Sequence, residues 1–298
     1  MTQLDALMEG YMAYKADVSR LAPGTIRDIR CTLKRASIAM AGIAPDTPLW
    51  RCRLEDYLAW IYSERDAGTS ELSLNKFITH CRGLLDYAWR SKRVDRNVLD
   101  GFQLQLSKGP EKPKSITEAE AHQLIQSLSI KTFVDRRDRV VVLILYGCGL
   151  RTHELCALDI SHVDIDRQEL QVLTAKGDKP RTVPIPTAVF TELLAYLHER
   201  GGKRGPLFRT HHKRRRISNK DASAIVKRAA VKAKLSTQVT PKTLRHSFAT
   251  HLMDRGVDIG IIASLMGHRS PKETGIYLHV LPGRQEEAVA MLNQGESL

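Results

Sequence analysis

The stretch LSKGPEKPKSIT, Leu106–Thr117, constrains the fold more than any other part of this chain. Its lysines cannot enter a core, and its two prolines and its glycine interrupt both helix and strand. It reads as a linker over 107–117, separating residues 1–106 from residues 118–298. Each flank is long enough to bury a core of its own, since domains run to roughly 100–200 residues. The chain is therefore expected to fold as two domains.

The two flanks differ in texture. In residues 1–106, apolar residues recur at helical spacing in LDALMEGYMAYKA, EDYLAWIYSER and SLNKFITHCRGLLDYAWRSKR. The Pro- and Gly-bearing stretches LAPGT, AGIAPDTP and DAGTS read as the loops between them. The second flank opens on SITEAEAHQLIQSL, where Ser115 or Thr117 can cap a helix with Glu in its first turn. RDRVVVLILYGCGL fits a buried strand or a buried helix, and its length favours helix. ELQVLTAKGDKPRTVPIP places two β-rich runs around KGDKP and reads as a hairpin. Helices are expected in TAVFTELLAYLHER, SNKDASAIVKRAAVKAK, TPKTLRHSFATHLMDRG and DIGIIASLMG, with a tail helix around RQEEAVAMLNQ. The fold class is thus mainly α with one small sheet: a helical N-terminal domain, then a mixed, mostly helical second domain.

Charge narrows the function. The chain carries 46 Lys+Arg against 33 Asp+Glu, a net of +13. Residues 1–107 hold 15 basic and 13 acidic residues, and residues 108–298 hold 31 and 20. Between Arg200 and Lys242 there are 14 basic residues and a single acid, Asp221. Such concentration is the footprint of a surface for a polyanion, most often nucleic acid. Lys213, Arg214, Arg215 and Arg216 in the HKRRR run are candidate DNA contacts, as are Lys179 and Arg181 beside the hairpin tip. No apolar run reaches the roughly 18 residues of a membrane span, and MTQLDALMEG lacks the features of a signal peptide. The five cysteines are scattered without a CxxC pair. They are expected as reduced thiols in a cytoplasmic protein, with no structural zinc and no cofactor.

The helix from Thr240 to Gly256 poses a physical problem. Thr240 suits the N-cap, Pro241 the first helical position and Gly256 the stop, and Leu244, Phe248 and Leu252 form an apolar stripe. Yet Lys242 and Arg245 share a face and read as first-turn cations, where the helix dipole is positive and each costs about 0.3–1 kcal/mol. Four more polar residues in the second flank stand out. Arg151 follows the glycine turn GCGL at a helix start, and Lys176 sits at the hairpin tip. His268 follows Gly267, and Tyr277 lies in the polar segment KETGIYLHV. Each alone has an ordinary explanation: a surface Arg, a solvated Lys, a C-cap His, a packed Tyr.

Together they have one chemical sense, attack on a phosphodiester. A tyrosine hydroxyl, with pKa near 10, is a weak nucleophile until its surroundings help it. The transition state places extra negative charge on non-bridging oxygens, which arginines can grip in pairs. Preorganised donors of this kind are each worth roughly 10²–10³ in rate. The leaving oxygen needs a proton, which a lysine can supply. An anion bound at the helix start would offset the repulsion of the cations there.

At these residues the sequence resembles the tyrosine recombinases, the phage-integrase-type site-specific recombinases. The resemblance covers essentially all of 115–290 and is carried by GCGLRTHELCAL, LTAKGDKPRTVPI, TLRHSFATHL and LMGHRSPKETGIYLHV, in that order. It implies that Arg151 and Arg245 grip the scissile phosphate and that Lys176 protonates the leaving 5′ oxygen. It further implies that His268 contacts the phosphate or nucleophile and that Tyr277 forms a 3′-phosphotyrosyl link. Glu154 matches the acidic residue that supports the family's site, and His246 is read as supporting with it. The family most often has His where this chain has Lys242, although lysine also occurs there. An ordinary Lys stays charged where His could exchange a proton, so Lys242 is assigned to phosphate contact first and proton transfer second. Residues 1–106 resemble, more weakly, the helical core-binding domain that closes over DNA.

The resemblance is to simple, two-domain members of the Xer-like, integron and transposon-borne kind. It implies double-stranded DNA with inverted-repeat core sites, dimers on a site, and tetramers in the synapse through a Holliday junction. Further candidate partners are a second recombinase or accessory proteins, with no membrane. Two rival readings fit parts of the sequence. A non-catalytic helix–turn–helix regulator would use HSFATHLMDRGVDIGIIASLMGH but leaves Tyr277, Lys176 and Arg151 unexplained. A metal-dependent nuclease would need Asp159, Asp164 and Asp166, or His211 and His212. The aspartates fall in a turn-like stretch and the histidines among cations, so no metal site is expected.

Overall fold

The computed structural model describes residues 3–104, 114–173, 180–202, 204–211, 214–236 and 238–267. Lys176, Lys179, Lys213, His268, Tyr277 and the tail around RQEEAVAMLNQ lie outside them. The chain divides into two compact units, Met1–Glu111 and Lys112–Leu298.

The first unit is built on four helices: α1 (Gln3–Asp17), α2 (Pro23–Ala41), α3 (Leu54–Asp66) and α4 (Glu71–Arg90). Leu33 and Met40 of α2, Tyr57 and Trp60 of α3, and Leu74, Ile78 and Leu84 of α4 meet in one core. Trp60 stacks on Phe77 with ring centroids 5.7 Å apart. The helix α2 is absent from the sequence reading above, which took LAPGT for a loop. Pro23 instead stands within the first two helical positions, where its missing N–H has no partner to lose.

The second unit opens with α5 (Glu118–Gln126), capped by the Thr117 hydroxyl in a capping box with Glu120. Next comes α6 (Phe133–Gly147), the run that fitted either a strand or a helix. Thr132 and Asp135 form its capping box, and Val140–Leu145 are buried one after another, so no side faces water. This continuous burial erased the amphipathic period on which a sequence reading depends. The short α7 (Thr152–Ala157) follows, then three antiparallel strands, β1 (Val163–Asp164), β2 (Glu169–Val172) and β3 (Arg181–Pro184), in the order β1-β2-β3. The hairpin expectation matches β2 and β3, which pair Leu170 with Val183 and Val172 with Arg181. Among the described residues the remaining helices are α8 (Thr187–Arg200), α9 (Asn219–Lys232), α10 (Pro241–Asp254) and α11 (Ile259–Met266). Mostly helical with one small sheet is the fold class read from the sequence.

The core of this unit gathers Leu143 and Ile144 of α6, Leu170 and Val183 of the sheet, Leu193 of α8, Val226 of α9 and Leu244 of α10. Ile116, inside the stretch read as linker, is 1% exposed. Its N–H donates to the Ser247 hydroxyl at 2.9 Å, and its carbonyl accepts from His251 Nε2 at 2.9 Å. The linker reading therefore runs too far: Ile116 belongs to the second unit because α10 satisfies both of its backbone groups. His251 Nδ1 in turn pairs with the Tyr146 hydroxyl at 2.8 Å. Cys52, Cys81, Cys148 and Cys156 are buried free thiols, and Cys31 is an exposed one. Among the described residues no helix is long and apolar enough to cross a membrane.

Candidate phosphoryl-transfer site

Leu150 is buried at the end of GCGL, and the turn before it delivers Arg151 to the N-cap of α7. Gly149 makes that turn with φ +61°, in the left-handed region glycine favours. A Cβ there would also lie 2.4 Å from a Phe248 ring carbon, so the residue must be glycine for α10 to pack against the turn. Within this capping box the Arg151 N–H donates to Glu154 Oε2 at 2.7 Å, and the Arg151 guanidinium to Glu154 Oε1 at 3.1 Å.

Glu154 is the centre of the site, with its side chain wholly buried. Arg181 of β3 grips it with both ends of its fork, Nη1 to Oε1 at 2.8 Å and Nη2 to Oε2 at 2.9 Å. Arg245 of α10 lies 3.8 Å from Oε2. Burial pushes the Glu154 carboxyl up, but the hydrogen bonds from Arg181 and from the Arg151 N–H, with the charges of Arg181 and Arg245, outweigh it. The net effect is a carboxyl brought down to about 2.

The same three arginines read the end of α11 one carbonyl each. Arg181 Nε donates to Leu265 O at 2.8 Å, Arg245 Nη2 to Met266 O at 2.8 Å and Arg151 Nη2 to Gly267 O at 3.1 Å. Arg245 Nη1 also donates to Gly149 O at 2.7 Å. These carbonyls resolve part of the dipole problem in α10. Arg245 is the fifth helical residue, not a first-turn cation, and its head lies against the negative end of α11. Lys242, in the first turn, is exposed. Three guanidiniums around one carboxylate leave a net of two positive charges in a site that α7, β3, α10 and α11 hold rigid.

Arg181 therefore stands in a different place from the surface role read for it. Its side chain is 9% exposed and committed to Glu154 and Leu265. The signal was present in the strand's alternation, because Arg181 shares a face with Val183, which is 1% exposed. Arg216 is likewise held by the carbonyls of Cys156 and Leu158 and by Asp159. Arg214 and Arg215 are exposed, Arg215 being paired with Asp221. The charge count of the Arg200–Lys242 window also included Arg200, which is 7% exposed and bonded to the carbonyls of Gly201, Pro206 and Leu207. His246, on the other hand, is half-buried beside Arg245 on α10. The aspartates of the nuclease rival do not assemble. Asp159 is taken by Arg216, and the Asp164 carboxylate caps the turn by accepting from the Arg167 N–H at 2.9 Å.

The phage integrase family model matches residues 114–284 of this chain, which span the whole site. The chain belongs to the phage integrase family. This integrase-family chain is 36% identical over 246 residues to the tyrosine recombinase XerA of Pyrococcus furiosus, covering 82% of each protein. It is 28% identical over 268 residues to the tyrosine recombinase XerD of Pseudomonas aeruginosa, covering 88% of this chain and 86% of that protein. Among solved structures, a lambda integrase dimer bound to a COC′ core site aligns at TM-score 0.74 and 17% identity, over 92% of this chain and 76% of that one. The Tn1549 transposon integrase in complex with transposon right end DNA aligns at TM-score 0.74 and 19% identity, over 99% and 100%. These two likenesses show the fold. The family member described here is a tyrosine recombinase, a site-specific enzyme that breaks and rejoins DNA strands.

Proposed function

We propose that this recombinase cuts DNA by attack of Tyr277 on a phosphodiester, forming a 3′-phosphotyrosyl link and freeing a 5′-hydroxyl. Arg151 and Arg245 bind the scissile phosphate, Lys176 protonates the leaving oxygen, and Lys242 and His268 complete the contacts. The observation that carries this reading is the cluster at Glu154. A phosphodiester carries one negative charge and its pentacoordinate transition state two, and the net charge of the cluster is matched to the latter. Fixed guanidiniums of this kind supply the charge stabilisation without requiring a metal ion. The N-terminal unit acts as the clamp of the core-binding type, and the exposed cations of the Arg200–Lys242 window follow the DNA backbone. Self-association as dimers on inverted-repeat sites and as tetramers at a Holliday junction accords with solved relatives. A lambda integrase is known as a dimer on a core site and as a tetramer on a Holliday junction. The helices α10 and α11 pack through Ala249, Met253, Ile262 and Met266, and Arg245 of α10 is turned onto the Met266 carbonyl, so a purely DNA-reading regulator gains no support.

The test is a suicide substrate, nicked so that the freed fragment diffuses away, incubated with protein and EDTA. A covalent protein–DNA adduct is expected from the unaltered chain and none from Tyr277→Phe, which should still bind the DNA. An adduct surviving in Tyr277→Phe, or one requiring a divalent ion, would sink the reading.

A further inference from the structure

We propose that Arg181 is a positioning residue for strand cleavage: it neutralises Glu154 by gripping both of its carboxylate oxygens, so that Arg151 and Arg245 keep their positive charge for the phosphate. The proposal rests on the reading of the site as a phosphoryl-transfer centre. Three observations point to this role rather than to DNA contact. The fork of Arg181 spends both of its terminal nitrogens on the Glu154 carboxylate, at 2.8 and 2.9 Å. Its Nε is spent on Leu265 O at 2.8 Å, so each of its three guanidinium nitrogens donates inside the protein. The group also lies so close to Gly267 that a Cβ there would be 2.8 Å from Arg181 Nη1. The side chain is thus walled in by α7 and the end of α11.

The electrostatics then follow from who else competes for the carboxylate. Arg151 reaches it by a single side-chain hydrogen bond at 3.1 Å, and Arg245 stands off at 3.8 Å. Without Arg181, the buried carboxylate would have, among the described residues, these two cations to answer it. An ion pair in a site of low dielectric strengthens steeply as its members close. Arg245 would be drawn onto Glu154 and away from Met266 and Gly149, and the net charge facing the phosphate would fall from two to one. Arg181 prevents this by holding the carboxylate bidentately, the geometry in which an Arg outcompetes a second, more distant cation.

The experiment measures single-turnover cleavage of the suicide substrate at saturating protein, with DNA affinity and its salt dependence measured separately. Arg181→Gln should slow cleavage by about 10²-fold, the scale of one preorganised donor, with a much smaller effect on DNA affinity. Adding Glu154→Gln to Arg181→Gln removes the uncompensated carboxylate, restores the net charge of two, and should recover cleavage by about tenfold or more over Arg181→Gln. A residue that merely braced the fold would not be rescued by a second loss at the same contact. Arg181→Lys, which keeps a cation at the carboxylate, should stay within about tenfold of the unaltered rate. If Arg181→Gln is too unstable to assay, the Lys variant and the double variant carry the test: cleavage by both supports the proposal, and inactivity of both overturns it. Cleavage by Arg181→Gln at the unaltered rate, or a double variant no better than the single, would each overturn it too. No adduct from the unaltered chain overturns the reading of the site itself, whereas an active unaltered chain with an unrescued double variant overturns only the part given to Arg181.

Discussion

Two groups of cations in the second unit are built from the same residue types and obey opposite physics. Arg151, Arg181 and Arg245 surround one buried carboxylate, and each donates to a backbone carbonyl of the α11 terminus. Arg204, Arg214, Lys220, Lys227, Lys232 and Lys234 lie exposed along the Arg200–Lys242 window. In the first group burial makes each charge costly unless it is paired, so position is fixed to within a hydrogen bond. In the second, water and salt screen each charge, so position matters little and number matters more. Under the proposed function, the first group would hold a single phosphate in one geometry and the second many phosphates in no particular one.

The contrast is sharpest at Glu154. Glu154→Ala leaves three guanidiniums facing one another with no counter-charge, and removing one partner of such a buried set costs on the order of 3–5 kcal/mol. Denaturant unfolding of the second unit should show a loss of that size, and a loss below about 1 kcal/mol would mean the cluster is as weakly coupled as a surface pair. Acid titration probes the same group next. The Glu154 carboxyl is lowered to about 2 from an ordinary value of 4.5, so it adds stability above the unfolded value. That stability is lost as pH falls through the window from about 4.5 to about 2, a change on the order of a few kcal/mol. Its absence in Glu154→Gln, followed by chemical unfolding across this range, would assign the acid limb to this residue. The smallest stability effect belongs to the rim. Arg214→Ala with Lys220→Ala should leave unfolding within about 0.5 kcal/mol while lowering the salt slope of DNA binding by about one for each phosphate contact removed. A stability loss as large as that of Glu154→Ala would erase the distinction between the two groups.

How much of this was legible in the sequence depends on whether a signal was local. Caps and turns were: Thr240 and Pro241 opened α10, a cap at Ser115 or Thr117 with Glu in the first turn opened α5, and the glycines of GCGL placed Arg151 at the N-cap of α7. The hairpin was readable from its two β-rich runs. The pairing of Arg151, Glu154 and Arg245 came from resemblance, since they belong to α7 and α10, far apart in the chain. What stayed hidden was how each cation is spent. Arg181 and Arg200 count as charge in the sequence, yet each is turned inward onto groups that only the fold assembles. Arg181 alone had a local clue, its parity with Val183. The helix α2 was missed for a different reason, because a proline was taken to break a helix that it in fact begins.

The unbroken burial of Val140–Leu145 has a consequence for synthesis. The helix α6 is covered by α8, α9 and α10, and α10 is made roughly a hundred residues after it. At about 5–20 residues per second, VVVLILY waits on the order of 5–20 s at the ribosome before its last wall exists. A run of that composition is a hazard for association with other nascent chains. Arg136, Arg137, Asp138 and Arg139 stand directly before it. In the finished fold Arg136 and Arg139 pair with glutamates of α8, and Arg137 reaches the Arg209 carbonyl. Before α8 and the segment bearing Arg209 have been made, the same charges act as gatekeepers, keeping this apolar run apart from its own kind.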